Sequence, residues 1–526
     1  MHSIELFLGL LLAALAIAVV AKRFELPYPI ALVFGGAVLG ALPGVPVVTL
    51  DPQLVFVLLL PPILGEAAYF TSWRDFLTWK RAIFLLAFGL VAATSAVVAA
   101  VCMWLVPGMT WSLGFVLGAI VSPPDAAAAT AIMRGLGLPR RITQILEGES
   151  LVNDAAGLTV YRFAVAAVLT GAFSPSNAVL SFLWISLAGA AIGLLLGIGF
   201  VRLFPRLKDP EVEILATFML TYTAYIAAEA AHASGVLATV AAGLILGWNS
   251  PRIFSATVRI RGNAVWQSAI FLINCTIFLL IGLQLPQVLQ TLSEYETARL
   301  VLWAAALSAV VILIRIVWVF AMAYLPRAFS AAIRRRGPAP SPRGVAVVAW
   351  TGLRGVVSLA AALALPTEFP HRHLILFLTF TVILATLGFQ GLTLRPFIRL
   401  LRLPKDSSSE EEQLKARLAS TESALTRLRE LEAAGAAPPD VLGRVRGYFE
   451  DRLAGERAEL EAQTRESQAE RPEEFKTIAE QRIWWELAKV ERETVIDLRR
   501  RRVIGDEALR RLEQDIDLLE ARIVPH

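Results

Sequence analysis

Cysteine, histidine and membrane-embedded lysine are what this 526-residue chain has little of. Its two cysteines, Cys102 and Cys275, lie in separate apolar stretches, which excludes a disulfide framework and a thiolate metal site. Its five histidines form no HExxH pattern, so no zinc hydrolase is indicated. Charged residues make up 18% of the chain against 56% hydrophobic ones, with a mean hydropathy of +0.61. Long apolar runs recur from residue 4 to about residue 400, which excludes an ordinary soluble domain. A basic leader is also missing: Met1-His2-Ser3-Ile4-Glu5 precedes the first run, and Lys22-Arg23 follows it. Residues 4–20 therefore read as a retained first helix with its N-terminus outside.

The net charge of +5 hides an asymmetry. Residues 404–526 hold 22 of the 49 Lys and Arg and 28 of the 44 Asp and Glu, leaving 27 basic against 16 acidic residues in 1–403. A basic membrane part followed by an acidic tail gives no reason to expect nucleic-acid binding.

A spanning helix needs about 20 mostly apolar residues. Thirteen such runs are present: 4–20, 27–42, 52–70, 81–105, 111–133, 142–170, 178–204, 212–230, 235–248, 264–284, 298–325, 344–365 and 372–400. With the N-terminus outside, alternate loops become cytoplasmic. Those loops hold Lys22 and Arg23; Arg74, Lys80 and Arg81; Arg134, Arg140 and Arg141; Arg202, Arg206 and Lys208; Arg252, Arg259 and Arg261; and Arg327, Arg334, Arg335, Arg336 and Arg343. The opposite loops hold essentially Arg372, with Arg299 at a helix entry. This segregation supports the count and puts the C-terminal tail in the cytoplasm of a bacterial-type plasma membrane.

Two of the runs are interrupted. The fifth contains "AIVSPPDAAAATAI", where Pro123-Pro124 cannot continue a helix and Asp125 follows at once. The twelfth contains "WTGLRGVVSLAAALALP", with Gly352 and Gly355 bracketing Arg354. They are an odd number of spans apart and so run in opposite directions, as an inverted repeat of spans 4–6 and 11–13 requires. Paired interruptions of this kind point to a transporter's binding site.

Between the breaks lies "LEGESLVNDAAGLTVYRF", which buries acids in an apolar helix at about 2.5–3.5 kcal/mol each on insertion scales. At 100° per residue Glu147, Ser150 and Asp154 share one face, and Glu149 and Asn153 share another. Asp154 is placed near mid-depth, where it can meet Asp125. Carboxylate, carbonyl and hydroxyl oxygens suit a hard cation, and a carboxylate taken out of water also holds a proton more readily. One acid can thus take either a cation or a proton. Glu149 needs a cation, and Arg315, alone in "VILIRIVWVF", needs an anion; pairing them avoids two uncompensated charges. Arg354 is the second candidate partner for Glu149; the favoured reading makes Glu149–Arg315 the structural pair and Arg354 a group serving the twelfth-span break. Glu66, in "LLLPPILGEAAYF", either lines the ion path or reaches towards Arg74, while Glu229 and His232 read as solvated. No lysine lies within any of the thirteen runs.

Taken together, "EGESLVNDAAGLTVYRF", "LPPILGEAAYF", "SPPDAAAATAI", the lone Arg315 and "GLRGVVSLA" resemble the electroneutral branch of the monovalent cation/proton antiporters, which includes bacterial sodium/proton antiporters and animal sodium/proton exchangers. The resemblance covers about residues 1–400. It implies an all-α polytopic membrane protein with two broken crossing helices. It also implies a homodimer in lipid, with spans 1–3 and 8–10 on the dimerisation side and a six-helix core moving like an elevator. It implies no cofactor, Asp154 as the carrier of Na⁺ and H⁺ in turn, and Asn153 beside it as the mark of the electroneutral branch. Ser150 and Asp125 carry over as site residues, Glu66 as a contributing acid, and Glu149 with Arg315 as a structural ion pair. One departure stands out. Pro124-Asp125-Ala126 replaces a family Thr-Asp-Pro, so Ser122, Ser150 or water must supply the missing hydroxyl.

After "PKDSSSEEE" the chain turns into amphipathic stretches at about 410–434, 439–468, 473–502 and 505–523, with Phe475 and Trp484-Trp485 as anchors for a small core. Residues 404–526 read as a cytoplasmic helical domain, regulatory or dimer-stabilising, with no partner identified. Two other functions compete for the membrane acids. An intramembrane aspartyl protease would need Tyr-Asp and Gly-x-Gly-Asp contexts, which are missing. A cation channel would need a repeated filter loop, and none is visible.

Overall fold

The computed structural model describes residues 2–458 apart from 25, 44–54, 134, 135, 137, 172–174, 291–294, 331–338, 367, 404–407, 435–438 and single positions between 440 and 456. Arg134, Arg334–Arg336, Lys405, Phe475, Trp484-Trp485 and the last two tail stretches lie outside the described residues. Two compact units divide the chain, Met1–Asp406 and Ser407–His526.

In the first unit, helix fills the described part of every apolar run outside the two breaks and the run ends, and no strand occurs among the described residues. The helices are α1 His2–Arg23, α2 Tyr28–Ala41, α3 Leu60–Phe70 (after a π-helical turn, Val55–Leu59) and α4 Trp73–Phe84. A second π-helical stretch, Leu85–Leu90, joins α4 to α5 Val91–Leu105. Then follow α6 Trp111–Val121, α7 Ala126–Met133, α8 Arg140–Thr170, α9 Pro175–Leu207, α10 Pro210–Ala230, α11 Gly235–Ile253, α12 Ala256–Gln290 and α13 Thr297–Phe329. The twelfth run is split into α14 Pro342–Trp350 and α15 Val356–Leu363. The last run is α16 Arg372–Ala385, a π-helical stretch Thr386–Gly391 and α17 Leu392–Leu401. Among the described residues, six segments are long and apolar enough to cross a membrane by length and composition.

Many basic residues expected in loops sit instead on helix ends. Arg74, Lys80 and Arg81 lie on α4, where half-buried Phe76 and Trp79 face the bundle and the charged side chains stay exposed. Long basic side chains let a helix run past the apolar boundary with their heads in water. Lys80 therefore falls inside the apolar segment Phe76–Leu105, but at its exposed end.

Without a hydrophobic drive between helices in lipid, close backbone approach decides which pairs form. Helix α9 packs on α11 through Gly189, Gly193 and Gly197; at Gly193 a Cβ would fall on the Ala238 backbone. Only 17% of the apolar stretch of α9 is buried against 72% of that in α16–α17. Helix α9 is therefore peripheral, with Trp184, Leu187 and Leu195 turned outward, while α16–α17 is central.

The second unit opens with α18 Ser408–Ala433. It carries ion pairs from Glu422 to Arg457 (2.8 Å) and from Glu432 to Arg446.

Gly193→Val should force α9 away from α11 and lower the thermal unfolding midpoint of the purified protein, at the roughly 1–3 kcal/mol scale of overpacking. An unshifted melt would mean that this contact does not hold the pair together.

Candidate ion-binding site

Interrupting a helix strands backbone groups, and at membrane depth each needs a protein partner. At the end of α6, the Ser122 hydroxyl donates to the Ala119 carbonyl (3.1 Å) and Arg354 Nε donates to the Val121 carbonyl (2.9 Å). At the start of α7, the Ala126 N–H donates to Ser150 Oγ (3.3 Å) and the Ala128 N–H to Asp125 Oδ1 (3.4 Å). Asp125 is thus the N-cap of α7. Its own N–H donates to the Leu353 carbonyl (2.6 Å), so the two interruptions touch through the backbone.

Arg354 is fully buried and serves both breaks. Besides Val121, it donates from Nη1 to the Gly352 carbonyl, and its N–H donates to Thr386 Oγ1 (3.2 Å). Gly355 lies so close to the Asp125 carboxylate that any Cβ there would overlap it. A guanidinium therefore stands at the C-terminal ends of α6 and α14, and a carboxylate at the N-terminal ends of α7 and α15. These are the signs that complement the helix dipoles.

Beside this crossing is a cavity of about 500 Å³. Glu147, Ser150 and Asp154 line it from α8, Pro123, Pro124 and Asp125 from the first break, Gly355 from the second, and Glu66 from α3. Asp154 is 7% exposed. Asn153 is fully buried behind it and donates from Nδ2 to the Pro124 carbonyl (3.0 Å), which ties α8 to the break. Of the hydroxyls that could replace the missing threonine, Ser150 lines the cavity, whereas Ser122 is spent on Ala119. Polar lining residues that were not picked out from the sequence include Gln267 and Asn274 of α12, and Ser358 of α15. Asn274 left a visible signal, as a lone amide in "FLINCTIF".

On the opposite face of α8, Glu149 accepts from Arg315 Nη1 (2.6 Å) and Nη2 (2.9 Å), with neither side chain more than 1% exposed. Arg315 Nη2 also donates to the Val348 carbonyl at the end of α14 (3.2 Å), so the pair is tied to the second break.

Glu229 corrects the expectation that it is merely solvated. It accepts from Arg162 Nη2 through both oxygens (2.8 and 3.0 Å) and from the Gly235 N–H (3.3 Å). The turn after α10 brings Glu229 to the N-terminus of α11, where a negative charge is favoured, and Arg162 of α8 reaches across to it. His232 is exposed as expected, with φ +54° in that turn.

The family profile described as "Sodium/hydrogen exchanger, transmembrane" matches residues 10–400. The chain belongs to this family. It is a membrane transporter and not an enzyme, and the ions its family moves are substrates rather than cofactors. A relative from Mycobacterium tuberculosis, named an uncharacterized Na⁺/H⁺ exchanger, is 32% identical over 98% of this chain and 95% of its own. A Bacillus subtilis protein named a sodium, potassium, lithium and rubidium/H⁺ antiporter is 31% identical over 72% of this chain and 59% of its own. The solved sodium/proton antiporter MjNhaP1 of Methanocaldococcus jannaschii shares the fold, with a TM-score of 0.56 at 17% identity over 77% of this chain and 100% of its own.

Arg315→Leu should leave Glu149 buried and unpaired, at about 3–5 kcal/mol. The expected result is a strongly lowered melting midpoint or loss of folded protein. Arg315→Lys, which keeps the charge, should recover part of the stability. A Leu variant as stable as the parent would remove the ion pair from the list of structural supports.

Proposed function

We propose that this exchanger moves one monovalent alkali cation, Na⁺ first, against one H⁺, and that Asp154 holds the two in turn. The observation that carries this reading is the position of Asp154: a nearly buried acid on the wall of a cavity it shares with Asp125, Ser150 and Glu66, beside the place where two interrupted helices meet. Occupation by a cation requires the carboxylate, and occupation by a proton removes it. Neither ion can then cross on the same site at the same time.

Other residues take supporting roles in this scheme. Ser150 supplies a hydroxyl oxygen, Asp125 acts through water or through the helix ends it caps, and Glu66 adds a further acid at the cavity wall. Asn153 holds Pro124 in place, and Glu149 with Arg315 braces α8 against α13 and, through the Val348 carbonyl, against α14. Gly352, Gly355, Pro123 and Pro124 keep the breaks open, and Arg354 holds them together. A cation bound as the proton leaves changes no net charge on the carrier, so an electroneutral one-for-one exchange follows. Thirteen crossings with the N-terminus outside, a homodimer built from spans 1–3 and 8–10, and an elevator-like core of spans 4–6 and 11–13 complete the scheme. Residues 404–526 are the cytoplasmic part. K⁺/H⁺ exchange by the same mechanism is the second reading, favoured by the breadth of cations in the name of the Bacillus relative. A conducting channel or a protease would need features that the sequence lacks.

Reconstituted into liposomes, the protein should move protons in response to a Na⁺ gradient at a rate indifferent to membrane potential; potential-dependent turnover would refute the stoichiometry. Asp154→Asn should reduce that movement to the level of empty vesicles while eluting as folded protein. Normal transport by that variant would move the site elsewhere.

A further inference from the structure

Ser358, the third residue of α15, lines the ion cavity and is 1% exposed. Its Oγ has no hydrogen-bond partner among the described residues. Buried polar atoms nearly always have partners, so an orphan on a cavity wall calls for a ligand. Neighbouring hydroxyls of the lining are engaged. Thr130 donates to the Ala126 carbonyl (2.9 Å), Thr143 donates to the Arg140 carbonyl (2.9 Å), and Ser150 Oγ accepts from the Ala126 N–H (3.3 Å).

The second break creates this orphan. A serine inside a helix donates to a carbonyl three or four residues back. For Ser358 those residues are Gly355 and Arg354, at the break itself, where the backbone is not helical. Gly355 lies against the Asp125 carboxylate, and Ser358 follows three residues later on the same side of α15. Packing alone does not ask for the oxygen. The small residues that come next in the helix, Ala360, Ala361 and Ala362, are buried alanines. Alanine at position 358 would fill the same place and leave nothing unpaired.

We propose that Ser358 Oγ is a ligand of the transported cation, contributed by the second interrupted helix. The assignment rests on Asp154 as the shared carrier. Asp154 and Ser150 bring oxygens from α8, and Asp125 brings a carboxylate from the first break. A hard cation takes several oxygens at once, and Ser358 adds a neutral one from the other half of the crossing. Because this hydroxyl carries no charge and does not titrate, it strengthens cation binding without altering the one-for-one exchange of charge on Asp154.

The test is cation-driven proton movement by the full-length protein in liposomes, with Na⁺ and K⁺ each varied at several pH values. Ser358→Ala should raise the KM for the transported cation about tenfold at every pH, the scale of one lost contact to a charged group. That rise should exceed any fall in the rate at saturating cation, as expected for a group that binds the ion. Ser358→Thr, which keeps the hydroxyl, should recover most of the affinity. In cation-free buffer the unfolding midpoint of Ser358→Ala should equal or exceed that of wild type, because only an unpaired oxygen is removed. An unchanged KM in Ser358→Ala, with Asp154→Asn inactive, overturns the assignment and leaves Asp154 as the carrier. A lowered rate or a lowered unfolding midpoint at unchanged KM also overturns it, by assigning Ser358 to helix packing. Normal transport by Asp154→Asn overturns both readings.

Discussion

The structure depends on two helix interruptions that touch each other inside an apolar bundle. Each break on its own would strand carbonyls and N–H groups where no water can satisfy them. Brought together, they satisfy one another. The Asp125 N–H donates to Leu353, and Arg354 reaches back to Val121. The side-chain charges then follow the backbone, with a guanidinium beside two helix C-termini and a carboxylate beside two N-termini. Gly355 is required because the Asp125 carboxylate occupies the space a Cβ would take. The cavity beside the crossing is a consequence of this arrangement, since uncoiled backbone and a capping acid leave oxygen atoms facing a space that a continuous helix would close.

Helix α8 translates that arrangement into a site. One of its faces carries Glu147, Ser150 and Asp154 to the cavity. Another carries Glu149 to Arg315 and Asn153 to the Pro124 carbonyl. The buried ion pair and the amide hold α8 in register with both breaks, so Asp154 is positioned by contacts that lie behind it. Buried pairs of this kind add little net stability, yet are costly to break; here they fix one rotation of α8 about its axis. Arg162 with Glu229, at 2.8 Å, adds a more exposed tie from α8 to the turn between α10 and α11.

Much of this was legible in the residues. Pro123-Pro124 and the Gly352–Gly355 bracket announced the breaks, because proline and glycine act on the backbone locally. The spacing of Glu147, Ser150 and Asp154 announced one face of α8, because helical periodicity is also local. Arg315 announced a buried acid, because a lone charge in an apolar run must be paired. What remained hidden depended on distant pairings. The sequence does not show that Arg354, in the twelfth run, would donate to Val121 in the fifth, or that Arg162 would reach Glu229. Asn274 and Ser358 are ordinary polar residues until α12 and α15 are brought to the cavity. The helix over Trp73–Phe84 was missed because its exposed Arg74, Lys80 and Arg81 read as a loop, although the aromatic side chains between them face inward.

The central claim is that one carboxylate is shared by a cation and a proton. Calorimetric titration of the purified protein with Na⁺, repeated in buffers of different ionisation enthalpy, counts the protons released per cation bound. Close to one proton released per Na⁺ on the acid side of the titration, with an apparent affinity that weakens as pH falls, is the predicted result. Cation binding that releases no proton at any pH would contradict it.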